Sequence, residues 1–278
     1  MKNLILLLML SVVMSVSAQS KASNSLLTKN EWINKDLDYL RFDNDAVVYN
    51  FDNIKQEVSF DLDNRKLSFK VNYRLAGDFK TEVFDFKIKE INRNRLVLEP
   101  DTNINSSGYN KLDVSAFTKE KQYVFYNRGQ LLSKVNFKKL TFHSSTCFGT
   151  CPSMSVQVNI DGSVFYRGKS YAKKQGNFVG KLSKNDIYEL KKILNRSQLY
   201  SIDKNWEQKS KRNDTPRYTY IVDLFDGETI EINTNDQHPV LDKLSDFLLN
   251  IDKRAELEKV DKIHNFEKSK LDLYRVSQ

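Results

Sequence analysis

The sequence predicts a β-rich α+β fold, in which an N-terminal antiparallel β-barrel or β-sandwich precedes an α+β domain with an antiparallel sheet and two helices. Three observations support this prediction. Between Leu37 and Tyr126, apolar and polar residues alternate with the period of two that marks half-buried strands. Turn-forming residues interrupt these runs at intervals of roughly ten residues, as in antiparallel sheets. Beyond residue 132, similar runs are combined with two stretches that carry the apolar stripe of an amphipathic helix.

Residues 1–18 have the pattern of a secretory signal peptide. Lys2 supplies a positive charge, Leu4–Val13 is almost continuously apolar, and Val16-Ser17-Ala18 offers small residues for cleavage before Gln19. We therefore expect an exported protein that is periplasmic or secreted. The apolar run is shorter than the ~20 residues of a membrane-spanning helix, and no later segment approaches that length, so no transmembrane segment is expected.

The charge of the chain is concentrated in its second half. The 278 residues have a formal net charge of +8 and are 40% hydrophobic, which is enough for two packed cores. Residues 133–278 contain 25 Lys and Arg against 19 Asp and Glu, a net charge of +6. Such a surface suits a partner protein or an anionic polymer of the cell envelope. Because export is expected, nucleic acid is excluded as the physiological partner.

Residues 24–132 are expected to form the first, all-β domain. Apolar side chains alternate onto one face from Leu67 to Tyr73 and from Phe84 to Ile88. The last strands are expected over Arg95–Leu98 and Tyr123–Tyr126, with a polar loop at Pro100–Phe117 between them. The predicted turns are Asn44-Asp45, Asp63-Asn64, Gly77-Asp78 and Asn92–Asn94.

This first domain resembles the lipocalin-like domains of bacterial exported proteins. The resemblance rests on Trp32 near the start, Tyr39-Leu40-Arg41-Phe42 in the expected first strand, and Leu96-Val97-Leu98 late in the domain. The glycine that usually precedes the tryptophan by two residues is replaced by Asn30. The resemblance implies a barrel whose mouth could bind a small apolar ligand. The alternative is a barrel that its own aromatic side chains fill.

Residues 133–255 are expected to form the α+β domain, and residues 256–278 a charged helical extension or tail. Ser183 and Asp186 have the spacing of a capping box at the start of one helix, and Pro239 suits the start of the other. Hairpin turns are predicted at Asp161-Gly162 and Asp226-Gly227, because glycine accepts positive φ. The predicted strands are Lys138–Ser144, Met154–Ile160, Val164–Tyr166, Gly176–Leu182, Tyr218–Val222 and Thr229–Thr234.

The two cysteines of the chain, Cys147 and Cys151, lie in one short loop between two predicted strands. In an oxidising compartment they can form a disulfide, with Gly149 supplying flexibility and Pro152 fixing the exit of the loop. Two alternatives remain open. One is a thiol-redox site, and the other is a Cu(I) site in which His143 joins the soft thiolates. A zinc site is disfavoured, because the chain offers two cysteines and three scattered histidines.

The segment 138–255 resembles a bacterial domain family of unknown function that occurs in exported proteins. Its signature, Cys-aromatic-Gly-x-Cys-Pro after a first strand, is matched by residues 147–152. The family's Asp-Gly hairpin is matched by Asp161-Gly162, and its next aromatic and glycine by Tyr166 and Gly168. An element before the late strands is matched by Asn213-Asp214-Thr215-Pro216, with Asn213 in place of threonine. The resemblance implies a fold and carries no activity.

The sequence contains none of the motifs that would indicate an enzyme of a familiar class. It has no Gly-x-Ser-x-Gly, no His-Glu-x-x-His and no glycine-rich phosphate loop. We therefore expect a non-catalytic binding or interaction module that needs no cofactor. The alternatives are a redox or copper protein that uses Cys147 and Cys151, and a lipocalin-like carrier. The candidate binding residues lie in a basic segment whose alternative role is a solvated loop; they are Lys209, Lys211, Arg212, Asp214 and Arg217.

Overall fold

The computed structural model describes residues 24–101, 112, 114–205 and 214–269. The chain divides into two units, Met1–Leu131 and Leu132–Gln278. The predicted β-rich α+β class is confirmed, because the first unit holds an antiparallel barrel and the second an antiparallel sheet with helices. Within the described ranges, no helix combines the length and the apolar character needed to cross a membrane.

The first unit contains a closed barrel of eight antiparallel strands. Each strand pairs with its neighbours in sequence, and β1 pairs with β8 to close the barrel. Residues 24–29 form helix α1. The predicted polar loop Pro100–Phe117 lies partly outside the described residues, and its last four residues, Val114–Phe117, form helix α2. The strands are β1 Glu31–Ile33, β2 Tyr39–Asp43, β3 Ala46–Phe51, β4 Ile54–Asp63, β5 Lys66–Leu75, β6 Asp78–Ile91, β7 Arg95–Pro100 and β8 Tyr123–Asn127.

The interior of the barrel is filled by the protein's own aromatic side chains. Phe117 of α2 is fully buried and reaches this interior. Its ring centroid lies 4.9 to 5.7 Å from those of five other rings, in the range typical of packed aromatic pairs. These rings belong to Tyr49, Phe51, Phe69, Phe84 and Phe86. The structure therefore favours a filled barrel over the lipocalin-like carrier.

The second unit contains a seven-stranded antiparallel sheet in the order β14-β13-β9-β10-β11-β12-β15. Strand β9 occupies an inner position between β13 and β10, so the loop that follows it lies at an end of the inner strands. The strands are β9 Phe137–Ser144, β10 Met154–Asn159, β11 Ser163–Gly168, β12 Gly176–Lys181, β13 Tyr218–Leu224, β14 Thr229–Thr234 and β15 Glu256–Val260.

The helices of the second unit begin where capping residues are available. Ser183 caps α3, since its hydroxyl accepts a hydrogen bond from the backbone N–H of Asp186 at 3.1 Å. Pro239 opens a 3-10 turn that leads into α5, and His238 caps that turn through Nδ1. The predicted start of α3 is thus confirmed, whereas α5 begins three residues after Pro239, at Asp242. The helices are α3 Lys184–Arg196, α4 Leu199–Asn205 and α5 Asp242–Leu249, with 3-10 turns at Pro239–Leu241 and Ile251–Lys253.

The two faces of this sheet differ in character. On one face, a row of register partners across four strands is almost fully buried: Phe142, Val156, Tyr166 and Tyr220. The hydroxyl of Tyr220 lies 2.8 Å from that of Ser245 in α5, so helix α5 packs on this face. The opposite face, which we call the polar face, carries residues of three successive rows, namely Lys139, Thr141, His143, Ser155, Gln157, Phe165 and Arg167.

Two sequence predictions for the second unit are corrected by the structure. Residues 256–260 do not begin a helical extension, because they form strand β15, which pairs with β12 at the edge of the sheet. Residues 261–269, which we call the C-terminal strap, continue without regular secondary structure. Helix α4, at Leu199–Asn205, was not predicted as a helix of its own.

Candidate functional site

The disulfide Cys147–Cys151 lies in the loop between β9 and β10. The two Cα atoms are 5.5 Å apart, close to the most common separation in disulfides. Ser144, the last residue of β9, closes the base of this loop: its hydroxyl donates to the carbonyl of Pro152 at 2.6 Å and accepts from the N–H of Met154 at 3.1 Å. The disulfide and these hydrogen bonds together hold the loop on the end of the sheet.

The same loop is joined to the segment that precedes β13. The N–H of Phe148 donates to the carbonyl of Asp214 at 3.2 Å, and the N–H of Ser145 donates to the carbonyl of Arg217 at 2.9 Å. The N–H of Arg217 in turn donates to the hydroxyl of Ser145 at 2.8 Å. The structure thus brings Asp214 and Arg217 beside the disulfide. The other candidate binding residues, Lys209, Lys211 and Arg212, lie outside the described residues.

Phe148, at the tip of the disulfide loop, leaves 94% of its surface exposed. In the sequence, this residue was identified only as the aromatic position of the family signature. Its exposure could have been predicted, because a loop closed by cysteines four positions apart is too small to enclose a phenylalanine ring. We define the Phe148 surface as Phe148 together with Asp214 and Arg217, whose backbone groups are hydrogen-bonded to the disulfide loop.

The geometry around His143 does not favour the Cu(I) hypothesis. Both sulfurs are used in the disulfide, and His143 Nε2 lies 2.7 Å from the carbonyl oxygen of Glu267. Since a carbonyl oxygen only accepts, Nε2 must carry the proton, while Nδ1 lies 2.9 Å from the hydroxyl of Ser155. Among the described residues, no group of three or more His, Cys, Asp or Glu side chains is placed to hold a metal ion.

A cavity of about 590 Å³ in the first unit is lined by residues of the β4–β5 turn and of strands β6 and β7. Seven of the ten residues that line it are charged, and Lys66 and Asp85 form an ion pair of 2.7 Å within this lining. A wall of this kind does not suit a small apolar ligand, because such ligands bind in mostly apolar pockets. The cavity therefore gives no support to the carrier hypothesis.

The C-terminal strap crosses the polar face of the sheet. The His264 ring stacks on that of Phe165, and the guanidinium of Arg167 donates to the His264 carbonyl at 2.6 Å. Further along, the carboxylate of Glu267 lies 2.6 Å from the ammonium of Lys139. At the far edge, the hydroxyl of Ser269 donates to Glu231 of β14 at 2.7 Å. The strap thus runs from the edge formed by β15 to the opposite edge.

Two side chains at this contact have shifted pKa values. Burial lowers the pKa of His264 below its usual 6.5, and the positive charges of Arg167 and Lys139 lower it further. Burial alone would lower the pKa of Lys139, but hydrogen bonds to the carboxylates of Asp223 and Glu267 hold that pKa above its usual value. At pH 7, these shifts favour a docked strap with a neutral His264 and a charged Lys139.

Residues 138–255 match a family model described as Domain of unknown function (DUF6438). The matched part is less than half of the chain and contains the disulfide loop and the segment from Asp214 to Arg217. Strand β15 and the C-terminal strap follow the matched part. A search of curated proteins and a search of solved structures each found no significant match. The second unit of this protein therefore contains a DUF6438 domain.

Proposed function

We propose that this protein is an exported, non-catalytic interaction module that binds a partner protein through the Phe148 surface. The observation that carries this proposal is the 94% exposure of Phe148 on a loop held by a disulfide. Burying a side chain of this size against a partner contributes about 1.5–3 kcal/mol. Because the disulfide already fixes the loop, little of this free energy is offset by the entropy cost of ordering the loop on binding.

The chemistry of the surface indicates what the partner presents. An exposed phenylalanine suits an apolar pocket, as aromatic anchors do at the centres of protein interfaces. Residues 133–278 have a net charge of +6, and Arg217 adjoins the loop. We therefore expect an apolar pocket whose rim carries an acidic group opposite Arg217 and a basic group opposite Asp214. An anionic polymer is less well supported, since it would leave the phenyl ring without a pocket.

Export is part of the proposal and is supported by two features. Residues 1–18 have the pattern of a signal peptide. A disulfide is typical of oxidising compartments such as the periplasm or the extracellular space. The mass of the protein isolated from its native host tests this, since cleavage gives a chain that starts at Gln19. An uncleaved chain recovered from the cytoplasm would contradict export.

Site-specific photocrosslinking in the native host tests the binding surface. A photoreactive phenylalanine analogue is placed at Phe148 in one variant and at Tyr188 of α3, which is 72% exposed, in the matched control. We expect one discrete crosslinked protein from residue 148 and none from residue 188. Excess unlabelled wild-type protein should suppress that crosslink, and excess Phe148→Ala protein should not. A crosslink that both competitors suppress equally, or none at residue 148, would overturn the proposal.

A further inference from the structure

The polar face beneath the C-terminal strap has the chemistry of a peptide-binding groove. Across β13, β9, β10 and β11 it presents one row of hydrogen-bonding side chains and a second row that includes a phenyl ring. The first row comprises Thr219, His143, Ser155 and Arg167, and the second comprises Ile221, Thr141, Gln157 and Phe165. These rows can bind both the carbonyl groups and the side chains of an extended segment that crosses them.

The strap shows how such a segment is recognised. Arg167 and His143 each hold a backbone carbonyl, those of His264 and Glu267. The guanidinium carbon of Arg167 lies over the ring of Phe266, 5.2 Å from the ring centroid. Lys139 holds the carboxylate of Glu267. The groove thus selects an aromatic residue followed by an acidic one, and it also binds the ring of His264 through Phe165 and Gln157.

We propose that this polar face is a recognition groove for an extended aromatic–acidic segment of a partner protein, and that the C-terminal strap occupies it as an intramolecular ligand. The proposal goes beyond the Phe148 surface and does not depend on it.

Two observations indicate that the strap can leave the groove. It follows the edge strand β15 and has no regular secondary structure over residues 263–269, so its release does not disturb the pairing of the sheet. Beneath it, the hydroxyl of Thr141 is fully buried and has no hydrogen-bond partner in the described structure. A buried polar group without a partner is unfavourable, and a ligand that satisfies it would compete with the strap.

The test uses the full chain and a fluorescent peptide with the sequence of residues 261–269. In the variant Phe266→Ala/Glu267→Ala, the strap loses its aromatic and acidic contacts while the groove stays unchanged. We expect this variant to bind the peptide at least about tenfold more tightly than the wild type, in which the strap competes for the groove. A peptide with the same two alanines should not bind, and adding Arg167→Gln to the variant should abolish binding.

Several results would overturn the proposal. Equal affinity of variant and wild type would do so, as would binding that does not require Arg167. A concentration-dependent dimer of the wild-type chain that the Phe266→Ala/Glu267→Ala substitutions abolish would show that the groove takes the strap of a second copy and not a partner. If the double variant loses its near-ultraviolet circular dichroism, Glu267→Ala alone provides the same comparison, because this partly exposed side chain does not support the core.

Discussion

The imidazole ring of His264 stacks on the phenyl ring of Phe165, with centroids 3.9 Å apart and planes within 9° of parallel. This contact attaches the C-terminal strap to strand β11, and the hydrogen bond from Arg167 to the His264 carbonyl reinforces it. These contacts make the C-terminal strap part of the folded second unit, although its composition is that of a charged tail. The attachment of the strap also places the titratable imidazole of His264 near the positive charges of Arg167 and Lys139.

Acidification should weaken the docking of the strap. Protonation of His264 places a third positive charge near Arg167 and Lys139. The imidazole faces the neutral side chain of Gln157, and the carboxylate of Glu267 is paired with Lys139. Because the pKa of His264 is lowered in the docked form, the released form binds the proton more strongly. Docking is therefore fully stable above about pH 6.5 and weakens as the pH falls below that value.

Nuclear magnetic resonance between pH 8 and pH 5 measures this weakening. The imidazole of His264 should titrate below 6.5, and the amide signals of residues 261–269 should shift toward unfolded positions in the same range. His264→Gln keeps a polar group that cannot be protonated, so it should remove this pH dependence. A His264 that titrates above 6.5, or amide signals of the strap that do not change between pH 8 and pH 5, would contradict the prediction.

The disulfide should contribute little to global stability. A loop closed by Cys147 and Cys151 restricts only a short part of the unfolded chain, which corresponds to about 2 kcal/mol. Urea unfolding of the oxidised and the reduced protein should differ by that amount at an unchanged m-value. Cys147→Ser/Cys151→Ser should match the reduced protein and be insensitive to reductant. A decrease in the free energy of unfolding of more than about 4 kcal/mol would show that the disulfide stabilises structure outside its own loop.

Truncation of Phe117 should destabilise the barrel strongly. Phe117→Ala removes a fully buried ring that contacts five others, and we expect a loss of about 3–5 kcal/mol. Phe79→Ala is the matched control, because Phe79 is 76% exposed and contacts the guanidinium of Arg74; its loss should stay below about 1 kcal/mol. Urea unfolding compares the two. Similar losses for both variants would indicate a loosely filled barrel and revive the carrier hypothesis.

Gly168 should be intolerant of a side chain. A Cβ at this position would lie 1.8 Å from the carbonyl oxygen of Lys174, which already accepts a hydrogen bond from the hydroxyl of Tyr166 at 3.1 Å. Gly168→Ala should therefore cost about 3 kcal/mol or more. At Gly149, the nearest atom to an added Cβ is the Cys147 sulfur at 3.7 Å, so Gly149→Ala should change stability by less than about 0.5 kcal/mol. Thermal unfolding that ranks these variants in the reverse order would refute the close approach at Gly168.

Features that depend on neighbouring residues were predictable from the sequence. Gly162 has a φ of 88° in the hairpin turn predicted at Asp161-Gly162, because that turn requires the left-handed region. Ser183 caps α3 because its hydroxyl needs only a backbone N–H a few residues away. The cysteine spacing likewise indicated a disulfide, although it left redox and copper chemistry open.

Features that depend on distant residues were not predictable. Glu256–Val260 is mostly charged, and it becomes a strand because it pairs with β12. That pairing relies on Gly180, where an added Cβ would lie 2.5 Å from the carbonyl oxygen of Glu256. The strap contacts could be inferred only once the polar face was known, since His264 and Phe266 meet residues far away in the chain.

Photocrosslinking from residue 148, with and without the disulfide, tests most directly whether the Phe148 surface binds a partner. In the oxidised chain we predict a discrete crosslinked protein from residue 148 and none from residue 188. Removing the bond with Cys147→Ser/Cys151→Ser should lower the crosslink by about fivefold or more, because the loop must then be ordered on binding. Equal crosslinking from residues 148 and 188, or a crosslink that does not change when the disulfide is removed, would contradict a surface organised by Cys147 and Cys151.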